Sequence, residues 1–197
     1  MWLKKHGVRE LVVLTGYAKE KIIGYLGSGS KLDVSIVYTV EEEPAGTAGA
    51  LKRAESVLKR EDIFIVVNGD IITSLNPLEM VKDLETHSDA IAEIAIVPLR
   101  CPYGIVKLRD NGFIMSFEEK PLIKTLLINA GVYVMRPEIF RYLPEKGDLE
   151  KLVFPKLASD SRLRGYIYYD CYWRAIDTIK DLHEAEVEIR RLFGSVS

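Results

Sequence analysis

Cysteine is nearly missing from the 197-residue chain, with Cys101 and Cys171 as the whole complement. They form no CxxC pair, which removes the redox and zinc motifs built on that spacing. The expectation is two reduced, buried, apolar side chains in a cytoplasmic protein. A basic excess is missing too. Lys and Arg total 27 against 29 for Asp and Glu, a formal net charge of −2. No electrostatic footprint for nucleic acid is therefore present. No apolar run approaches the roughly 18–20 uncharged residues that a membrane-spanning helix needs. Trp2-Leu3-Lys4-Lys5-His6 lacks the apolar centre of a signal peptide. GxSxG, HExxH and Walker A motifs are absent. His6, His87 and His183 are far apart in helical segments, as surface residues rather than a shared metal site. Neither a Pro/Gly/Ser-rich linker nor an internal repeat interrupts the chain. With 48% hydrophobic and 28% charged residues, what remains is one globular domain with a sizeable core.

Strands and helices alternate through the first half. Leu11–Thr15 reads as a buried strand, and residues 18–26 carry Ala18, Ile22, Ile23 and Leu26 at helical spacing. Val34–Tyr38 is the next strand, followed by a helix from Thr47 to Leu58. Ile63–Val67 is apolar throughout, the pattern of a central parallel strand covered on both faces. A helix over Pro77–His87 leads into a strand over Ile91–Val97. This alternation predicts βαβ units on a parallel sheet. After Pro98 the rhythm changes. Asn111-Gly112 between the apolar runs Ile105–Leu108 and Phe113–Phe117 spells a hairpin. A strand over Leu126–Met135, two short helices at 137–143 and 148–158, and short strands at 167–169 and 172–173 follow. A last helix runs from Thr178 to Phe193.

Three segments combine residue types suited to ligand chemistry. Glu43-Pro44-Ala45-Gly46-Thr47-Ala48-Gly49 joins a strand to a helix, where glycines admit a ligand and the helix N-terminus offers unpaired N–H groups. A plain tight turn with Thr47 as N-cap has the same signature. Asn68-Gly69-Asp70 sets a carboxylate just beyond an apolar strand, a place for a cation on ligand phosphates, or for a turn whose Asp caps the next segment. In Phe117-Glu118-Glu119-Lys120-Pro121, Lys120 offers a point charge to a phosphate and Glu119 an acceptor for sugar hydroxyls. A solvated strand end would look no different.

The order of these pieces carries more than any one of them. Together with Tyr103-Gly104, Ile128-Asn129-Ala130-Gly131-Val132-Tyr133 and Trp173, the series resembles the sugar-1-phosphate nucleotidyltransferases, makers of nucleotide sugars such as GDP-mannose and dTDP-glucose. The likeness runs from Trp2 to the last helix. It implies an α/β, three-layer, nucleotide-diphospho-sugar transferase-like (Rossmann-like) mixed sheet in one domain over 1–197. Residues 1–98 would be the nucleotide-binding half and 99–197 the sugar-binding half. By the same resemblance Gly46, Thr47, Ala48 and Gly49 contact the nucleobase through backbone groups, and Asp70 binds Mg²⁺ at the reacting phosphates. Gly104 approaches the sugar, Glu119 and Lys120 hold sugar hydroxyls and phosphate, and Asn129 lies beside the sugar. Asp70 and Lys120 are the catalytic candidates. The reaction implied is attack of a sugar-1-phosphate oxygen on the α-phosphorus of an NTP, releasing pyrophosphate. That chemistry rests on positioning and charge neutralisation.

Two departures accompany the likeness. The family opens with a strand and a Gly-Gly-x-Gly-Thr-Arg loop that nothing here matches. A sheet lacking its first strand and phosphate loop is expected, with homo-oligomeric association covering the bared edge. Near the C-terminus the family reads Trp-x-Asp, the Asp being a second metal ligand, whereas Trp173-Arg174-Ala175 carries a methyl there. Asp177 falls on the same side of an extended segment, but Thr178-x-x-Asp181 spells a capping box that assigns Asp177 to a helix entry. Two readings follow: a nucleotidyltransferase, or an inactive nucleotide-sugar-binding or regulatory subunit of the same family.

Overall fold

The computed structural model describes residues 2–193. Helix α1 (Trp2–Lys5) closes where the Gly7 amide donates to Lys4 O, and strand β1 (Glu10–Thr15) follows. After helix α2 (Lys19–Leu26), strand β2 (Ser35–Val40) pairs parallel with β1, Leu11 opposite Ile36 and Val13 opposite Tyr38. The helix expected over 47–58 is two: α3 (Gly46–Arg53) and α4 (Glu55–Leu58), parted at Ala54. Strands β3 (Phe64–Val67) and β4 (Ile71–Thr73) flank the Asn68–Asp70 turn. Helix α5 (Pro77–Glu85) has a start legible in its residues. Asn76 Oδ1 accepts from Leu78 N at 3.2 Å, Pro77 occupies the first turn, and Met80 and Leu84 are fully buried one turn apart. Thr86 ends it, so His87 lies just outside.

Strand β5 (Ala92–Arg100) precedes the hairpin of β6 (Ile105–Leu108) and β7 (Ile114–Glu118). Its turn forms as Asn111-Gly112 predicts, with Arg109 N donating to Phe113 O at 2.8 Å. Strand β8 is long (Leu122–Met135), followed by a 3₁₀ turn (Pro137–Arg141) and a π-turn (Leu149–Val153) that continues into α6 (Phe154–Ser159). Strands β9 (Leu163–Ile167) and β10 (Trp173–Ala175) lie a few residues from the expected 167–169 and 172–173, and α7 (Ile179–Phe193) ends the described chain. Among the described residues no helix is long and apolar enough to cross a membrane.

Two sheet expectations are corrected. β3 is the end member of a four-stranded sheet of order β3-β8-β5-β9, and it pairs antiparallel with β8, Phe64 opposite Met135 and Val67 opposite Val132. Ile65, Val66 and Val67 are half-buried, so β3 is not a central parallel strand covered on both faces. Pairing is mixed rather than uniformly parallel: β1–β2 run parallel and β3–β8 antiparallel, so the expected run of parallel βαβ units is not continuous. Cys101 and Cys171 are free and half-buried rather than fully interior.

The chain forms two compact units of interleaved segments. Met1–Val67, Asn76–Ile94 and Val132–Arg164 make the first, whose core gathers Ala48 and Leu51 of α3, Phe64 of β3, Tyr133 and Met135 of β8, and Leu149, Phe154 and Leu157 downstream. Asn68–Leu75, Ala95–Gly131 and Gly165–Ser197 make the second, with Leu75, Ala95, Val97, Ala130 and Ala185 buried.

Candidate functional site

In the first unit, the glycine turn is folded onto the segment around Gly147. Gly46 has φ +73, and a Cβ there would run into the Gly147 carbonyl and come within 2.7 Å of Asp148 Oδ1. A Cβ on Gly49 would lie 2.6 Å from Glu145 O. The Gly147 carbonyl accepts from Ala48 N at 2.9 Å and from Gly49 N at 3.4 Å, and Gly147 N donates to Ala45 O at 2.8 Å. The helix terminus therefore does not present free donors at Ala48 and Gly49, contrary to the expectation of unpaired N–H groups. These glycines serve a close approach of two backbones. Nor does Thr47 cap α3: its Oγ1 accepts from Leu149 N at 2.8 Å and donates to Glu150 Oε2 at 2.9 Å. Asp148 stays below the usual carboxylate range because Lys151 hydrogen-bonds it at 2.7 Å, helped by the Thr47 amide.

In the second unit, two sets of candidates are assembled. The turn carrying Asp70 is tied on both sides. Asn68 N donates to Gly131 O at 2.9 Å, and Ile176 N donates to Asp70 O at 2.8 Å. β4 and β10 pair antiparallel with Ile71 opposite Ala175 and Thr73 opposite Trp173. Trp173 Nε1 donates to Ala130 O at 2.7 Å, and Asn129 Oδ1 accepts from Gly131 N at 2.8 Å. Gly131, at φ +68, leaves room for Asn68 and Ile71: a Cβ would sit 2.9 Å from Ile71 Cγ1. Asp70, Asn129, Trp173 and Ala175 thus share one knot of backbone bonds. Asp70 and Asn129 are exposed.

The second set sits at the base of the hairpin. Phe117 packs over Gly104, where a Cβ would be 2.5 Å from its Cζ and 2.9 Å from Glu119 Oε2. Lys120 is exposed and left-handed at φ +47, a conformation that costs a non-glycine residue about 1 kcal/mol or more. Its charge also helps to lower the Glu184 carboxyl, after the dominant hydrogen bond from Arg174 and a contribution from Lys180.

Among the described residues no group of three or more His, Cys, Asp or Glu is arranged to hold a metal. The Asp70 turn offers one carboxylate, with the Ala175 methyl on the paired strand. Mg²⁺ accepts one protein carboxylate when ligand phosphates and water complete its shell. Asp177 is exposed, and the Thr178–Asp181 box forms as its spacing predicts: Thr178 N and Oγ1 donate to Asp181 Oδ2 at 2.9 and 2.7 Å, and Asp181 N donates back at 3.2 Å.

A family profile described as Nucleotidyl transferase matches residues 2–191. The chain belongs to the nucleotidyl transferase family. Among its curated relatives, the D-glycero-alpha-D-manno-heptose 1-phosphate guanylyltransferase of Aneurinibacillus thermoaerophilus is 31% identical, over 96% of this chain and 82% of its own length. The UTP–glucose-1-phosphate uridylyltransferase of Synechocystis sp. is 34% identical, over 93% of this chain and 52% of its own length. The chain spans about half the length of the first curated relatives it matches. The crystal structure of HddC from Yersinia pseudotuberculosis complexed with GMP-PN is similar with a TM-score of 0.71 at 25% identity, covering 95% of this chain and 82% of that one. Its fold is that of a nucleotidyltransferase-like α/β protein with a mixed sheet.

For a family member, the residues invisible to sequence reasoning are those that hold these turns. Gly147, Asp148 and Glu150 meet Thr47 from about a hundred positions downstream. Arg174 is drawn to Asp181, Glu184 and Glu188 of α7, with N–O distances of 3.4 Å to Asp181 and 3.0 Å to Glu188. Arg174, on β10, is therefore engaged with α7.

Proposed function

We propose that this protein acts as a sugar-1-phosphate nucleotidyltransferase, taking an NTP and a sugar-1-phosphate to a nucleotide sugar and pyrophosphate. What supports this is the knot at the Asp70 turn. β4–β10 pairing and the Trp173–Ala130 bond gather three of the motifs that carry the family resemblance, Asn68–Asp70, Asn129–Gly131 and Trp173, into one place.

In this reading the backbone at Gly46, Thr47, Ala48 and Gly49 lines the nucleobase, Gly104 and Asn129 border the sugar, and Glu119 accepts from its hydroxyls. Thr47 N is already bonded to Asp148, and Ala48 N and Gly49 N to Gly147 O, so the base is not met by those three donors. Lys120 supplies a point charge to phosphate. Asp70 would hold Mg²⁺, whose chemistry is to neutralise phosphate charge. Residues 1–98 are assigned to the nucleotide and 99–197 to the sugar, in a cytoplasmic homo-oligomer whose bared strand edges are covered by a second copy.

The reading predicts measurable, Mg²⁺-assisted binding of nucleotide sugars by titration calorimetry across GDP-, UDP- and dTDP-sugars. Asp70→Asn should abolish the Mg²⁺ dependence, and Ala175→Asp should strengthen it by about tenfold as a second carboxylate joins the shell. Pyrophosphate release at ordinary turnover identifies an enzyme, and binding without turnover identifies a nucleotide-sugar-binding subunit. Mg²⁺-dependent affinity that survives Asp70→Asn unchanged would put the metal elsewhere.

A further inference from the structure

The first turn of α3 is fastened to the core through a carboxylate. Tyr133 is fully buried near the C-terminal end of β8, its ring 5.0 Å from that of Phe154, so its hydroxyl has a fixed position. That hydroxyl donates to Glu150 Oε1 at 3.1 Å. The other oxygen of Glu150 accepts from Thr47 Oγ1 at 2.9 Å, and Thr47 Oγ1 in turn accepts from Leu149 N at 2.8 Å. Thr47 and Glu150 are both exposed. What Glu150 contributes is direction. It carries the rigidity of a core hydroxyl out to the turn, through hydrogen bonds strengthened by its charge.

The same terminus is unsuited to phosphate. Ala48 N and Gly49 N are already bonded to Gly147 O, and the Asp148 carboxylate, held ionised by Lys151, sets a negative charge beside Gly46. A helix start so occupied favours an uncharged polar group over an anion. A nucleobase edge is such a group.

We propose that Glu150 is a positioning residue for the Ala45–Gly49 turn, linking Tyr133 to Thr47 and so setting the frame in which the base of a nucleotide is received. This rests on the nucleotide reading of that turn. Thr47 bridges Leu149 and Glu150, and the frame is lost when either end of the link is cut.

The test is calorimetric titration of GTP, UTP and dTTP into the wild type, Glu150→Ala, Glu150→Gln and Thr47→Val. Melting temperature is followed in parallel, with hydrogen exchange over residues 44–51. Glu150→Ala and Thr47→Val should lose about tenfold in affinity for whichever nucleotide binds, the worth of one charge-assisted hydrogen bond. Exchange in 44–51 should rise while the melting temperature moves little. Glu150→Gln, able to accept from Tyr133 and donate to Thr47, should recover most of the affinity. Wild type that binds none of the three removes the reading of the turn, and the proposal with it. Equal affinity in wild type and Glu150→Ala overturns the proposal alone, as does Glu150→Gln behaving no better than Glu150→Ala.

Discussion

Glu93 is fully buried on β5, and neither of its carboxylate oxygens has a hydrogen bond of ordinary geometry among the described residues. Burial pushes its pKa from 4.5 up to about 8, reinforced by Asp83, which is itself held low by its hydrogen bond with Glu93 and by Arg164. Arg164 gives its nearer bonds to Asp83, 2.9 and 3.1 Å, and stands 3.5 Å from Glu93. Glu93 is therefore the protonated member of the trio. Between about pH 4.5 and 8 the folded chain keeps a proton that the unfolded chain releases, so this group's stabilisation is complete below 4.5 and fades as pH rises towards 8. Asp83 acts in the opposite sense, its contribution being lost on acidification below the ordinary carboxylate range. Glu93→Gln keeps a donor for Asp83 and removes the titration. Thermal melts from pH 5 to 8 should decline for the wild type, by roughly 2–4 kcal/mol in stability, and run flatter for the variant. Parallel profiles would show that Glu93 does not carry the proton.

At the scale of elements, β3 and β1 each have a partner on one side only among the described residues, β8 and β2. Both strands are apolar and half-buried, with Leu14 and Val66 packed against the first unit's core. Such edges pair with other strands unless they are blunted. Light scattering of the wild type should give more than a monomer's mass. Ile65→Lys, on the face opposite Phe64, should shift it to monomer without unfolding, and a wild type that stays monodisperse and monomeric at high concentration would count against the idea. β3 also marks the limit of what sequence conveys. An apolar run says that a strand is covered, but its direction is set by a partner, β8, some sixty-five residues later. The β6–β7 turn and the α5 start were legible because Asn111-Gly112 and Asn76-Pro77 act on their own neighbours. The break at Ala54 has no Gly or Pro to announce it, and three-residue strands such as β4 and β10 have no period to detect. At the site, Asp70 was legible as a turn beyond a strand. The use of Gly46 and Gly49 was not, because their close partners, Glu145 and Gly147, lie about a hundred residues downstream.

At the scale of the molecule, the chain passes between its two units at 67/68, 75/76, 94/95, 131/132 and 164/165. The first unit's core draws Tyr133, Leu149, Phe154 and Leu157 from beyond residue 98 to pack with Ala48, Leu51 and Phe64. Residues 1–98 expressed alone should therefore be unfolded by circular dichroism and show collapsed amide dispersion in NMR. A cooperative melt from that fragment would contradict the core described above. The interleaving has an evolutionary side as well. Where each unit is one stretch of chain, recombination can exchange it whole between genes. Here no single crossover exchanges one unit whole while leaving the other whole, and a chimera that swaps one unit with a relative would need matched replacements in three separate stretches.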